Sequence, residues 1–312
     1  MRGIALDGRG TIVASPSVPT SHPMLIHIGY DIELALTPPT ALIYLLRVHP
    51  TRERDLQGHE NLQIHPPLPS TDYLDAFGNR CGRIQVPAHV SSVRLTNHAR
   101  VYDSGQPDPV DWQAAQHAPE DLPTEVLQFL LPSRYCEVDS ELLAFAWSQF
   151  GGTAPGWGRV QAICDFVHAR IRFDYQQARP NRSALQGFHE RAGVCRDFAH
   201  LAVTLCRCMN IPARYVTGYL GDIGVPPVRA PMDFSAWFEV FLGGRWHTLD
   251  ARHNEPRIGR VLMARGRDAT DAAISTAFGA NTLVKFTVIT DEVPDVREGA
   301  ADQRAPVRRS AA

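Results

Sequence analysis

Lysine is almost missing from this 312-residue sequence, in which Lys285 stands alone against thirty arginines. A chain with one ε-amino group offers almost no acceptor for isopeptide crosslinking between its own copies. Long apolar runs are missing too: nothing approaches the roughly 20 residues that cross a bilayer. The first 23 residues carry Arg2, Arg9 and scattered Gly, Ser and Pro without the apolar core of a signal peptide. A cytoplasmic protein without a membrane partner is the expectation. Excess charge of either sign is lacking, and a formal net charge of -2 gives no electrostatic case for nucleic acid or an anionic surface. Cysteine is sparse and irregular, at positions 81, 136, 164, 195, 206 and 208, which excludes a disulfide framework. Cys206 and Cys208 lie two apart in a helical stretch and point away from each other, so they make no metal pair. No cofactor or metal is implied.

What remains is ordinary globular material, 44% hydrophobic and 21% charged, long enough for one catalytic-sized domain with a smaller companion. From Met24 the pattern alternates strictly, with Ile26, Ile28, Tyr30, Ile32, Leu34 and Leu36 on one side, as a half-buried strand requires. Further strands are expected over Ala41–Val48, around Phe77, over Ile84–Val86 and over Val93–Val101, which makes residues 24–103 an antiparallel β domain after a flexible start at 1–23. Residues 104–124 are rich in Pro, Asp and Gln and are expected to be a surface linker. Helical spacing follows: Leu142, Leu143, Ala146 and Trp147 come after an N-cap at Asp139 or Ser140, and Val160, Ile163, Cys164, Val167 and Ile171 form a second stripe. The core is expected over 125–296, and residues 297–312, without periodicity, read as a disordered tail.

Phe198, Leu201, Ala202, Leu205 and Met209 recur at helical intervals, so 196–209 is an amphipathic helix whose first turn carries Cys195. Free N–H groups and the positive dipole end at that turn favour a thiolate, and Arg196 adds to this if its side chain turns inward. Gly193 permits the tight turn into the helix. The other five cysteines read as core or surface thiols.

Downstream, Phe234–Leu242 and Arg245–Asp250 flank Gly243-Gly244, a two-residue turn. That loop places Ser235 across from Arg252 and diagonal to Asp250, on one face with Trp237, Glu239 and Thr248, and sends His247 to the other face. His200 should point away from Cys195 by helical spacing, and His253 reaches the site only if Ala251-Arg252-His253 leaves extended geometry. Asp250 has a plainer reading as a strand-end carboxylate paired with Arg252 or Arg214, and Trp246 as a core aromatic.

Gly-Val-Cys195-Arg-Asp-Phe-Ala-His-Leu, then Asn210-Ile-Pro-Ala-Arg-Tyr-Val-Thr-Gly-Tyr219, then the aromatic hairpin ending in Asp250, resembles the bacterial transglutaminase-like family of papain-type thiol enzymes. The likeness covers roughly residues 160–255 and implies an α+β fold: a helix-borne Cys packed on an antiparallel sheet, preceded by an antiparallel β domain. The family triad is Cys, His, Asp. Matched residue by residue, Cys195 is the nucleophile, Asp250 the orienting carboxylate, and Ser235 stands at the His position. The implied chemistry is thioester acyl transfer or amide hydrolysis on a peptide or glutamine substrate, with an oxyanion donor from the Cys195 N–H and from Tyr175 or Gln177. Trp237 and Tyr219 would border a substrate groove. A hydroxyl is no general base near neutral pH, and a positioned base is worth about 10²–10⁴-fold, so turnover should be weak or lost. The alternative on the same fold is a non-catalytic module that binds a peptide or partner protein.

Overall fold

The alternation beginning at Met24 runs without a break through β1 (Met24–Leu36), whose Ile26, Ile28, Tyr30, Ile32 and Leu34 are all buried. A computed structural model describes residues 22–228 and 231–294. The expected flexible start therefore lies outside the described residues except for 22 and 23, and the expected disordered tail lies wholly outside them. Five further strands follow: β2 (Thr40–Tyr44), β3 (Gln63–His65), β4 (Ser70–Leu74), β5 (Arg80–Val86) and β6 (Ser92–Asp103). β2 is shorter than the apolar run suggested, because Leu45, Leu46 and Val48 are buried as irregular chain rather than as strand. Phe77 lies in the turn between β4 and β5, not in a strand. β4 is exposed along its whole length, so it carries no apolar alternation.

The second unit opens with α1 (Glu141–Phe150), where Ser140 Oγ accepts the Leu142 N–H at 3.3 Å. α2 (Trp157–Arg170), β7 (Arg172–Phe173), α3 (Ala184–Glu190) and β8 (Ala192–Gly193) lead to α4 (Cys195–Cys208). β9 (Ala213–Tyr219), β10 (Ser235–Leu242), β11 (Arg245–Leu249) and β12 (Val261–Gly266) form one antiparallel sheet in the order β11-β10-β9-β12. The helices cover one face of it, with Phe198, Leu201, Ala202 and Leu205 of α4 packed in one cluster with Phe238, Val240 and Leu242 of β10. α4 is buried on nearly every side, beyond what amphipathic spacing implies. Its Arg207 is enclosed as well and donates to the carbonyls of Ala213, Leu131 and Arg267. This is the expected α+β architecture of a helix-borne cysteine on an antiparallel sheet behind a β domain.

Two expected boundaries change. β13 (Ser275–Ala277) and β14 (Asn281–Glu292), assigned from the sequence to the core, pair instead with β2 and β1. They complete a sandwich of two sheets, β14-β1-β6-β3 and β13-β2-β5-β4. The physical reason is that β1 has two edges, and β6 satisfies only one of them. Residues 104–124 are no loose linker either. The Ala114 carbonyl accepts the Trp157 N–H at 3.1 Å, the Ala115 carbonyl accepts that of Gly243 at 2.8 Å, and Gln116 Nε2 donates to the Met209 carbonyl. The sandwich and the core sheet share one apolar cluster, in which Tyr219, Phe234, Val261 and Met263 meet Tyr30, Tyr44 and Val48.

Candidate active site

Cys195 is the first residue of α4, and the helix start beneath it is braced from within. Asp197 Oδ2 accepts the Val194 N–H at 2.9 Å and the Arg182 guanidinium at 2.8 Å, with both charged side chains sealed from solvent. Gly193 is required by this brace rather than by its φ: a Cβ there would stand 2.4 Å from Asp197 Oδ2. Arg196 does not turn inward. It donates to the carbonyls of Pro180 and Arg179 and lies over the Tyr135 ring, so it brings no charge to the thiol.

The thiol sits against the start of β10, 3.9 Å from the Phe234 carbonyl. Burial pushes it up from 9 to about 11; Arg252 and a main-chain hydrogen bond from Ala236 oppose this, and Asp233 and Asp250 add to it. A helix start is worth about 0.3–1 kcal/mol to an anion, which is less than the cost of burial, on the order of 3 kcal/mol. Burial and the helix dipole act on this thiol in opposite senses, and burial is the larger.

The hairpin has the expected register, with Phe238 opposite Leu249, Glu239 opposite Thr248 and Val240 opposite His247. It stops one residue short of Asp250. Ser235 consequently has no partner in β11 and pairs only with Gly218 of β9, while its buried Oγ has no hydrogen bond. The chain after Leu249 turns back instead of extending. The Asn254 N–H reaches the Asp250 carbonyl at 2.8 Å, and Asn254 takes φ +53°. This turn lays the imidazole of His253 on Asp250, Nδ1 to Oδ2, at 2.9 Å. Asp250 also accepts the Arg260 guanidinium at 3.0 Å and the Arg252 and His253 N–H groups, and these cations and donors hold its carboxyl well below the usual range against the opposing effect of burial. Arg252 leaves Asp250 by its side chain and stacks over Phe173 at 3.8 Å. Arg214 pairs with Glu239 and stacks over Trp246.

A cavity of about 400 Å³ has Tyr175, Cys195, Asp233, Ser235, Arg252 and His253 among its walls. Of the groove residues and side-chain oxyanion donors expected from the sequence, only Tyr175 lines it. Gln177 is exposed outside it. Trp237 faces a separate cavity of about 450 Å³ beside Glu239, Thr248 and Arg260. Tyr219 is fully buried in the cluster shared with the sandwich, edge-on to Phe234 at 5.1 Å, so it cannot border a groove. His247 Nε2 lies 3.2 Å from the Leu242 carbonyl on the opposite face, and His200 is buried with Nε2 accepting the Ala269 N–H. Sequence reasoning missed Asp233, whose carboxyl burial pushes up, and Arg182. Neither sits in a periodic pattern. The Asp-Ala-Arg-His-Asn run did carry a signal, since Asn tolerates the left-handed turn that ends it. Among the described residues no three His, Cys, Asp or Glu side chains converge to hold a metal, and no helix is long and apolar enough to cross a membrane.

Comparison with known proteins gives three results. A family model described as the transglutaminase-like superfamily matches residues 145–251. A solved structure of a candidate cysteine protease from Cytophaga hutchinsonii is 30% identical, with a TM-score of 0.75, over 88% of this chain and 92% of that one. An uncharacterised protein of Mycobacterium leprae is 28% identical over 78% of this chain and 88% of its own, and one of Mycobacterium tuberculosis is 29% identical over 67% and 72%.

Proposed function

The chain belongs to the transglutaminase-like superfamily, and on that premise we propose that Cys195 is the acyl-accepting thiol of a slow cysteine-dependent amide hydrolysis or acyl transfer on a peptide or glutamine side chain. One observation carries this reading: the helix-tip Cys195 and Ser235, which stands where the family places histidine, line one cavity together with His253, whose ring Asp250 holds. Sγ would attack the amide carbonyl, and the Cys195 N–H, which has no acceptor within its helix, would hold the oxyanion. The amine would leave, and water or an external amine would release the acyl group from sulfur. The relative from Cytophaga hutchinsonii, described as a candidate cysteine protease, supports the same class of reaction. An amine acceptor is expected from another molecule, since Lys285 is the single lysine of the chain.

The thiol held near 11 favours a second reading, in which the cavity binds a peptide or partner protein without turnover. One experiment separates the two. Ammonia or amine release from glutamine-containing and amide peptides is measured for the wild type, Ser235→His, and Ser235→His with Cys195→Ala. The enzyme reading expects a rise of about 10²-fold or more in Ser235→His that the second substitution removes. Equal rates in all three proteins overturn it and leave the binding reading.

A further inference from the structure

The substitution of Ser235 removes an imidazole from β10, yet an imidazole oriented by Asp250 remains, supplied by the turn that follows β11. We propose that His253 is the proton acceptor of the Cys195 site, using Nε2 while Asp250 holds Nδ1. The inference rests on the thiol reading above and names the base that this reading lacks.

Three features of the turn support it. The 2.9 Å contact between Nδ1 and the Asp250 carboxylate requires the ring proton at Nδ1, so a neutral His253 carries its lone pair at Nε2. Asp250 cannot swing away, because Arg260 and two main-chain N–H groups fix it in place. Among the described residues no hydrogen bond engages His253 Nε2, and the ring lines the cavity that holds Cys195 and Ser235. A structural histidine capping its own turn would need only the Nδ1 bond. An Asp-oriented ring in the wall of a thiol-bearing cavity, with no hydrogen bond at its second nitrogen, has the arrangement of a base.

Sγ makes its described hydrogen bond to the Phe234 carbonyl rather than to an imidazole, so the proton path runs through water in the cavity. In acylation the thiol proton passes by that water to Nε2 as the S–C bond forms, and Nε2–H then protonates the departing amine as the C–N bond breaks. In deacylation a water O–C bond forms while Nε2 takes the water proton. The S–C bond breaks, and the proton returns to the Cys195 sulfur. No oxidant, metal or further reactant is needed.

The test bypasses the difficult acylation step. The full-length protein and His253→Ala are treated with a peptide p-nitrophenyl ester, adduct formation at Cys195 is followed by intact-mass measurement, and adduct decay is timed from pH 5 to 9. Both proteins should acylate. Wild-type decay should be about 10²-fold faster at neutral pH and level off as pH rises, whereas decay in His253→Ala should climb with hydroxide throughout. Added imidazole should restore decay in His253→Ala without changing the wild type, which a purely structural role for the ring would not produce. Equal decay rates and profiles, or no rescue in a variant that keeps the wild-type circular dichroism, overturn the assignment of His253 alone. Failure of the wild type to form any adduct at Cys195 overturns the thiol reading and this inference together.

Discussion

The guanidinium of Arg182 lies 2.8 Å from the Asp197 carboxylate, and neither side chain reaches solvent. The same carboxylate oxygen takes the Val194 N–H, so this ion pair sets the turn from which the Cys195 helix departs. Arg182 continues to Glu190 at 2.9 Å and ties the end of α3 to the start of α4. Removing one partner of such a pair strands a charge, which is costlier than never having built the pair.

Arg182→Met should therefore destabilise the protein by about 3–5 kcal/mol in urea unfolding. Adding Asp197→Asn should recover at least about 1 kcal/mol of the loss, because a neutral amide tolerates the enclosure better than an unpaired anion. A loss under about 1 kcal/mol in Arg182→Met would show that the brace is not what holds the helix start.

Alkylation of Cys195 by iodoacetamide tests the contest between burial and dipole. With the thiol near 11, the thiolate fraction at pH 7 is on the order of one in 10⁴, so labelling should be slow there and still rising steeply above pH 9. Arg252 is the main charge that lowers this value, and Arg252→Gln should slow labelling further. Rapid labelling at pH 6 would show that the helix start prevails after all.

His49 gives the fold an acid-sensitive joint. It is buried where the sandwich meets the core, its N–H bonds the Leu262 carbonyl, and its Nδ1 accepts the Thr51 N–H at 3.2 Å. Burial lowers it from 6.5 to about 4, with Arg265 and Arg214 acting in the same sense. Between those values the unfolded chain binds the proton and the folded one does not, so stability is complete above about pH 6.5 and drains away as pH falls toward 4. The loss is at most about 3 kcal/mol. His49→Asn keeps an acceptor for Thr51 and removes the titration, so its unfolding free energy should fall less over that window. An unchanged acid slope would remove His49 from the account.

Local rules made the middle of this molecule legible. The two-residue Gly243-Gly244 loop dictates the pairing of Phe238 with Leu249, and the apolar spacing of Phe198 through Leu205 places Cys195 at a helix tip. Burial and closure are not local. Nothing near residue 36 announces that β14 will lie beside β1, and nothing near Tyr219 shows that the sandwich will cover it. The ladder between β10 and β11 ends at Leu249, short of where alternation alone would carry it. Extended geometry would leave Asp250 at the end of β11, diagonal to Ser235, whereas the turn ending in the left-handed Asn254 bends the chain and lays His253 on the carboxylate.

The pairing of β14 with β1 also has a temporal cost. About 250 residues separate the two strands, and at the usual synthesis rate of about 5–20 residues per second their meeting waits roughly 12–50 s. Throughout that interval one margin of β1 offers unpaired N–H and C=O groups to any neighbouring chain. The strand that carries this open margin is complete well before the chain has reached Cys195.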